Sequence, residues 1–200
     1  NPLASLKGHA QLLAEHLARH GDPARYPELD DPRAVELLYK SAPLHDIGKV
    51  GVPDRILLKP GKLTPEEFEE MKKHPAYGRD AILAAERMLG GNSFLRHARE
   101  IAYTHHEKWD GTGYPQGLTG ADIPLAGRLM ALADVYDALI SKRVYKPPFP
   151  HSKAVAILRE GSGTHFDPDV VAAFEVLAEE FRRTALLFAD HAEERAALGA

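Results

Sequence analysis

Cysteine is absent from the 200 residues. That excludes disulfides, thiolate zinc sites, iron–sulfur clusters and cysteine nucleophiles, and it fits a reducing compartment. No apolar run approaches the roughly 18–20 residues that a membrane span needs. The opening NPLASLKGHAQLL has no basic stretch followed by unbroken apolar residues, so no signal peptide is visible, and a cytoplasmic location is expected. The chain starts at Asn1 without an initiator Met, which reads as a segment of something longer. A surplus of positive charge is missing too. Twenty-five Lys plus Arg against 29 Asp plus Glu give a formal charge of −4, which excludes a strongly basic nucleic-acid module, so DNA is not an expected partner. Strand patterning is scarce. Lys49–Val52 is one short candidate, stopped by Pro53, and no alternating run supports a sheet.

Helical patterning is abundant by contrast. Apolar residues recur at spacings of three and four: Leu3, Leu6, Ala10, Leu13 and Leu17 form one stripe, and Val35, Leu37, Leu38, Ala42 and Leu44 another, running into His45. Thr64-Pro65-Glu66-Glu67 predicts a capped helix start, with Thr as N-cap, Pro at the first helical position and Glu three residues after the cap. Further helices are expected over 93–107 and 124–140, and one opens at Asp167-Pro168-Asp169 and carries Val170, Val171, Phe174, Leu177 and Phe181. Loops are expected over 21–31, 53–62, 110–123 and 145–150. The fold class is all-α. A main domain over residues 1–184 precedes a polar helical tail, 185–200, whose last dozen residues are expected to fray.

Eleven histidines are many for this length, and imidazole is the commonest metal ligand. Four stretches carry metal-type side chains near helix ends: His45 and Asp46, followed by Lys49; His74; His105, His106 and Glu107, followed by Asp110 and Tyr114; and Asp134 with Asp137 one turn later. Each has a structural alternative. A His-Asp pair can be surface polarity, His74 a helix cap, and His105 with His106 a cap plus a core histidine. Yet Asp134 sits in an apolar helix, where a carboxylate is costly unless paired or bound to metal. Nitrogen and oxygen donors without thiolates suit Fe, Mn or Zn. Asp137 reads as a cap, a partner to a neighbour or an orienting acceptor for a ligand. Trp109 and Tyr114 either face a purine or pack their loop onto the helices. Gly113 and Pro115 alone read as a turn.

Four segments in order, HDIGKVGVPDRILLKPGKLTPEEF, HHEKWDGTGYPQGLTGADIPLAGRLMALADVYDAL, SKRVYK and GTHFDPDVV, resemble the HD-GYP domains, a branch of the HD metal-dependent phosphohydrolase superfamily. The resemblance runs from about Leu38 to Phe174. It implies a compact all-α HD-type bundle with a central metal site and a GYP loop beside it. The implied activity is hydrolysis of cyclic di-GMP to linear pGpG, GMP or both by a metal-bridging hydroxide. The implied metal ligands are His45, Asp46, His74, His105, His106 and Asp134, with Asp46 bridging and catalytic. Lys49 is implied as catalytic and phosphate-facing. Tyr114 lies near the substrate, and Arg143 and Lys146 hold phosphate. Two transition-metal ions are implied, Fe or Mn ahead of Zn. So is fusion to an upstream receiver or sensor domain, and a homodimer is compatible.

The first helix departs from the family. Where members carry a metal-binding His and, three residues on, an Arg, this chain has Pro2 and Ser5. His9 lies on the same helix face as Pro2 but two turns away, about 10.5 Å, too far to serve the same metal. A third metal is therefore not expected. His16, His20, His97, His151, His165 and His191 are read as surface residues. The rival reading is a degenerate HD-GYP domain that binds metal or nucleotide weakly and acts through partner proteins. An HD phosphohydrolase for a different nucleotide is a third reading, which the GYP triplet opposes.

Overall fold

The computed structural model describes residues 2–90, 92–142 and 147–199. Its α-helices are α1 (Pro2–His20), α2 (Ala34–Ser41), α3 (Asp54–Leu57), α4 (Pro65–Met71), α5 (His74–Leu89), α6 (Ser93–Thr104), α7 (Leu125–Ile140), α8 (His151–Glu160), α9 (Pro168–Val176), α10 (Ala178–Phe188) and α11 (Ala192–Gly199). No strand occurs among the described residues, which bears out the all-α reading.

Helix α7 is the axle of the bundle. Leu129, Leu132, Ala133 and Tyr136 are fully buried, and the helix is apolar nearly all round, as a central helix must be. Helices α1, α6, α8 and α9 pack around it. A smaller apolar cluster of Ile82, Leu95, Ala98 and Ala102 joins α5 to α6.

The local start signals act as the chemistry requires. Thr64 Oγ1 accepts from Glu67 N at 3.3 Å, while Glu67 Oε2 accepts from Thr64 N at 2.7 Å, closing the box that starts α4. Asn92 Oδ1 caps α6 through Leu95 N. Asp167 caps α9 through Asp169 N and also pairs with the buried Arg128, 2.7 Å away.

Several expectations are corrected. Lys49–Val52 is no strand: residues Ile47–Gly51 form a 3₁₀ helix, because no neighbouring strand offers a ladder and Lys49 N instead donates back to Asp46 O. The loop over 53–62 contains α3, and that over 21–31 contains a 3₁₀ turn, Pro27–Asp30. The helix expected to run from Val170 through Phe181 is two. It breaks at Leu177, where φ is −94° and ψ 6°, with no Gly or Pro to signal it. The bend lets Phe174 and Phe181, rings 4.9 Å apart and edge-on, enter one core beside Tyr136. The terminal residues expected to fray form α11. Leu198 is buried there, its carbonyl accepts from Arg182, and Glu194 accepts from Lys142 N. Position 185 falls inside α10.

Candidate metal centre

Six side chains from four places in the chain converge beside α7. His45 and Asp46 lie just past α2 and a 3₁₀ turn, His74 opens α5, His105 caps the end of α6, His106 follows it, and Asp134 comes from α7. Glycine makes the meeting possible. A Cβ on Gly48 would stand 1.9 Å from His74 O and 2.3 Å from Gly78 N. Only a bare Cα lets the segment after Asp46 lie against the start of α5.

Asp46 is the hub. Its Oδ1 lies 3.3 Å from His74 Nε2 and 3.8 Å from His105 Nε2. Its Oδ2 lies 3.2 Å from His45 Nε2 and 2.5 Å from Lys49 Nζ. Asp134 Oδ1 is 3.8 Å from His45 Nε2. One donor atom each from Asp46, His74, His105 and His106 fall within 4.8 Å of one another. His74 is thus a buried helix-opening residue, not the partly exposed C-terminal cap that its bland reading allowed.

The hydrogen bonds fix which nitrogens are free. Nδ1 of His45 faces Ala42 O at 2.9 Å, Nδ1 of His74 faces Met71 O at 2.7 Å, and Nδ1 of His105 faces Ile101 O at 3.0 Å. A carbonyl can only accept, so each Nδ1 holds a proton and each ring, when neutral, presents its Nε2 lone pair inward. Nε2 of His74 and Nε2 of His105 then confront each other at 3.4 Å, two acceptors with no donor between them. Asp46 Oδ1 is buried among them without a hydrogen-bond partner. Lone pairs and a carboxylate facing one point call for a cation, and backbone carbonyls bonded to the far nitrogens are how proteins orient imidazole ligands. The residues therefore fit a divalent metal.

The electrostatics agree. Burial opposes the charge on Asp46, but His105, His45 and His74 outweigh it and hold the carboxyl well below the usual range. Burial opposes a second proton on His45, yet Asp46 beside its Nε2 raises the pKa, so the carboxylate draws positive charge to the place a cation would take. Burial, with the neighbouring His105 and His74, pushes His106 down to about 2, so it stays a neutral donor. Burial, with the charges of Asp46 and Asp134, pushes the Tyr114 hydroxyl up, keeping it protonated.

The GYP loop is held by a carboxylate. Glu107, first read as metal-type, is buried, and its two oxygens accept from Gln116 N at 2.8 Å and Leu118 N at 3.0 Å. Asp110, also first read as metal-type, accepts from Thr112 N and Oγ1 within its turn. A Cβ on Gly113 would lie 2.3 Å from Lys108 N, so the loop folds back on its own root. Tyr114 is stacked on His106, centroids 4.8 Å apart at 26°, and the Tyr114–Pro115 peptide is cis. Trp109 N and Asp110 N donate to His165 O and Thr164 O, which ties the loop to the GTHF segment. The loop-anchoring use of Glu107 was missed from sequence; its position directly after two histidines and before a glycine-rich loop was the available signal.

Arg143 and Lys146 lie outside the described residues. His9 is not part of the cluster around Asp46. Its ring stacks on Phe181 at 4.3 Å, its Nε2 donates to Phe181 O at 2.9 Å, and its Nδ1 lies 2.9 Å from Asp137 Oδ1. Ser5 Oγ donates to the same Asp137 oxygen at 3.1 Å. Four of the histidines read as surface residues, His16, His97, His151 and His165, are half-buried: His151 bonds Tyr136 Oη at 2.9 Å, and His165 stacks on Phe166.

Comparison with known proteins adds the family. The profile described as HD domain matches residues 4–170. A cyclic di-GMP phosphodiesterase of Vibrio cholerae is 62% identical over 184 residues, covering 92% of this chain and 37% of that protein. A 3'3'-cGAMP-specific phosphodiesterase of the same organism is 46% identical over 147 residues, covering 74% of this chain and 27% of that protein. Among solved structures, an HDG"Y"P protein from Bdellovibrio bacteriovorus aligns with TM-score 0.60 at 22% identity, over 88% of this chain and 52% of that one, a likeness of fold. The chain thus spans well under half the length of these curated relatives.

Proposed function

The chain belongs to the HD-domain family, with the GYP triplet of its HD-GYP branch at Gly113-Tyr114-Pro115, and from that premise we propose that it is a metal-dependent phosphodiesterase hydrolysing cyclic di-GMP to linear pGpG, GMP or both. The observation that carries the reading is the confrontation of His74 Nε2 and His105 Nε2 around the unpartnered Asp46 Oδ1. The identity to a named cyclic di-GMP phosphodiesterase supports the substrate.

His45, Asp46, His74, His105, His106 and Asp134 would hold two cations. The mixed nitrogen and oxygen set suits Fe, Mn or Zn, and the family resemblance puts Fe or Mn ahead of Zn. Such a pair supplies an acidified water and a clamp on phosphate oxygens. The chain's own part is orientation and charge. Asp46 offers one oxygen to the His74 and His105 side and the other to the His45 side, which suits a bridging carboxylate. Lys49, already at Asp46 Oδ2, is placed to meet the anionic phosphate and stabilise charge developing there. Tyr114 keeps its proton and offers a hydrogen bond beside His106. Arg143 and Lys146 would hold the phosphates. In the longer protein an upstream receiver or sensor domain would govern this site, in the cytoplasm and in a homodimer. Among the described residues no helix is long and apolar enough to cross a membrane.

The test is elemental analysis of protein purified without chelator, followed by anaerobic loading with Fe or Mn and chromatography of cyclic di-GMP digests, with 3'3'-cGAMP assayed in parallel. About two metals per chain and pGpG or GMP as product are expected. Loaded protein that cleaves neither dinucleotide would leave the degenerate regulatory domain as the better account.

A further inference from the structure

We infer that Phe68 and Lys72, on the α4 side of the site, form a wall that receives one purine of the substrate, and that Lys72 makes this wall selective for guanine. The inference rests on the cyclic dinucleotide reading above and specifies a contact to the base rather than to the phosphate.

The wall is continuous with the metal centre. Tyr114 stacks on His106. Phe68 stands nearly perpendicular to Tyr114, at 81° with centroids 6.4 Å apart. Phe68 is a large apolar ring left 47% exposed, at the rim of a cluster that is otherwise polar. Lys72 lies four residues on, hence on the same face. Its ammonium stands 5.5 Å from the Phe68 centroid and 5.8 Å from that of Tyr114. Two rings and a cation therefore frame one corner beside the imidazoles.

That corner has the chemistry of a nucleobase site. An exposed aromatic face offers a base a stacking surface. An ammonium at its edge donates to the O6 and N7 acceptors of guanine, whereas adenine turns its N6 amino donor toward it. The present partner of Lys72 is Glu69, an exposed side chain, and exposed pairs are weak enough to exchange. The wall is also fixed in place. The Thr64–Glu67 capping box anchors the start of α4, and Tyr77 Oη donates to Glu70 near its end.

Steady-state kinetics on the metal-loaded protein test this, with cyclic di-GMP as substrate and cyclic di-AMP as competing inhibitor. Phe68→Leu should raise KM for cyclic di-GMP about fivefold or more, with metal content and melting temperature as in wild type, and Phe68→Tyr should restore KM. Lys72→Met should narrow the gap between the cyclic di-GMP KM and the cyclic di-AMP Ki by about tenfold, and Lys72→Arg should keep it. Wild-type KM in Phe68→Leu together with an unchanged gap in Lys72→Met would overturn the inference while leaving the phosphodiesterase reading intact. An unchanged gap alone would remove the guanine selectivity. A wild-type protein that cleaves no cyclic dinucleotide would instead bring down the function on which the wall depends.

Discussion

Asp134 and Asp137 sit one turn apart on α7, and each belongs to a different buried cluster of histidine, carboxylate and hydroxyl or amine. Asp134 faces His45 and the Asp46 hub. Asp137 faces His9 and Ser5 on α1. The residue types are nearly the same, yet the hydrogen bonding differs. Around Asp46 the Nδ1 protons are committed to backbone carbonyls, and the inward nitrogens of His74 and His105 face each other. Around Asp137 the His9 Nε2 proton goes to Phe181 O, the other nitrogen meets a carboxyl whose pKa burial raises, so that the acid form can supply the proton between them, and Ser5 adds a donor. The first cluster gathers several imidazole nitrogens around one carboxylate; the second sets one imidazole against one carboxyl, leaves Asp137 Oδ2 without a hydrogen bond, and fastens α1 to α7 and α10. Histidine next to aspartate points to a metal site where several imidazole nitrogens meet at one carboxylate, as at Asp46, and not where a single pair does, as at Asp137.

The sharpest way to break this contrast is Asp46→Ala. It should remove bound metal and lower phosphodiesterase turnover at least ~100-fold, because ligand loss should exceed the 10–100-fold typical of residues that merely orient ligands. Elemental analysis, turnover and far-ultraviolet circular dichroism together check it, with helicity expected to persist. Full metal retention would dissolve the distinction. Next in size, Asp137→Ala should leave His9 buried without its partner and cost about 1–3 kcal/mol of unfolding free energy, as an unsatisfied buried polar group does, while metal content stays near wild type. A denaturant midpoint and a metal assay on one preparation read both. Smaller again, Ser5→Ala should cost about 1 kcal/mol by losing one donor to Asp137, without effect on metal.

A histidine outside both clusters sets the baseline for pH. Burial, with Lys108 adding, pushes His165 from 6.5 down to about 4. The unfolded chain therefore binds more protons than the native one between those values. His165 contributes its full stability above about pH 6.5 and loses it as the pH falls toward 4. His165→Gln should flatten the rise of the urea midpoint across that window. An unaltered slope would show that His165 does not titrate there.

The helical class, the capped start of α4 and the burial of α7 were legible, because caps and periodicity are local properties of the chain. The grouping of His45, His74, His105, His106 and Asp134 around Asp46 was proposed through the family resemblance, since nothing local says that His45 and His105 will face each other. What escaped the sequence is tertiary. Val50 and Val52 suggested a strand, but a strand needs a neighbour. The break at Leu177 carries no turn residue and exists because Phe174 and Phe181 share one core. Glu107 looked like a ligand, yet two loop amides reach it first. His9 was set aside as a ligand on helix geometry, but its role as a tether required α10 to be in view.

The tight crossing at Gly48 has a consequence for genetics. A side chain there would collide with the backbone of His74 and part the two halves of the proposed metal centre without altering a single donor atom. A screen for inactive alleles should therefore recover substitutions at Gly48 alongside those at Asp46. Activity alone would rank the glycine among the chemical residues. A second-site suppressor that withdraws the start of α5 is open to Gly48 alleles and closed to those at Asp46, so reversion would tell the two apart.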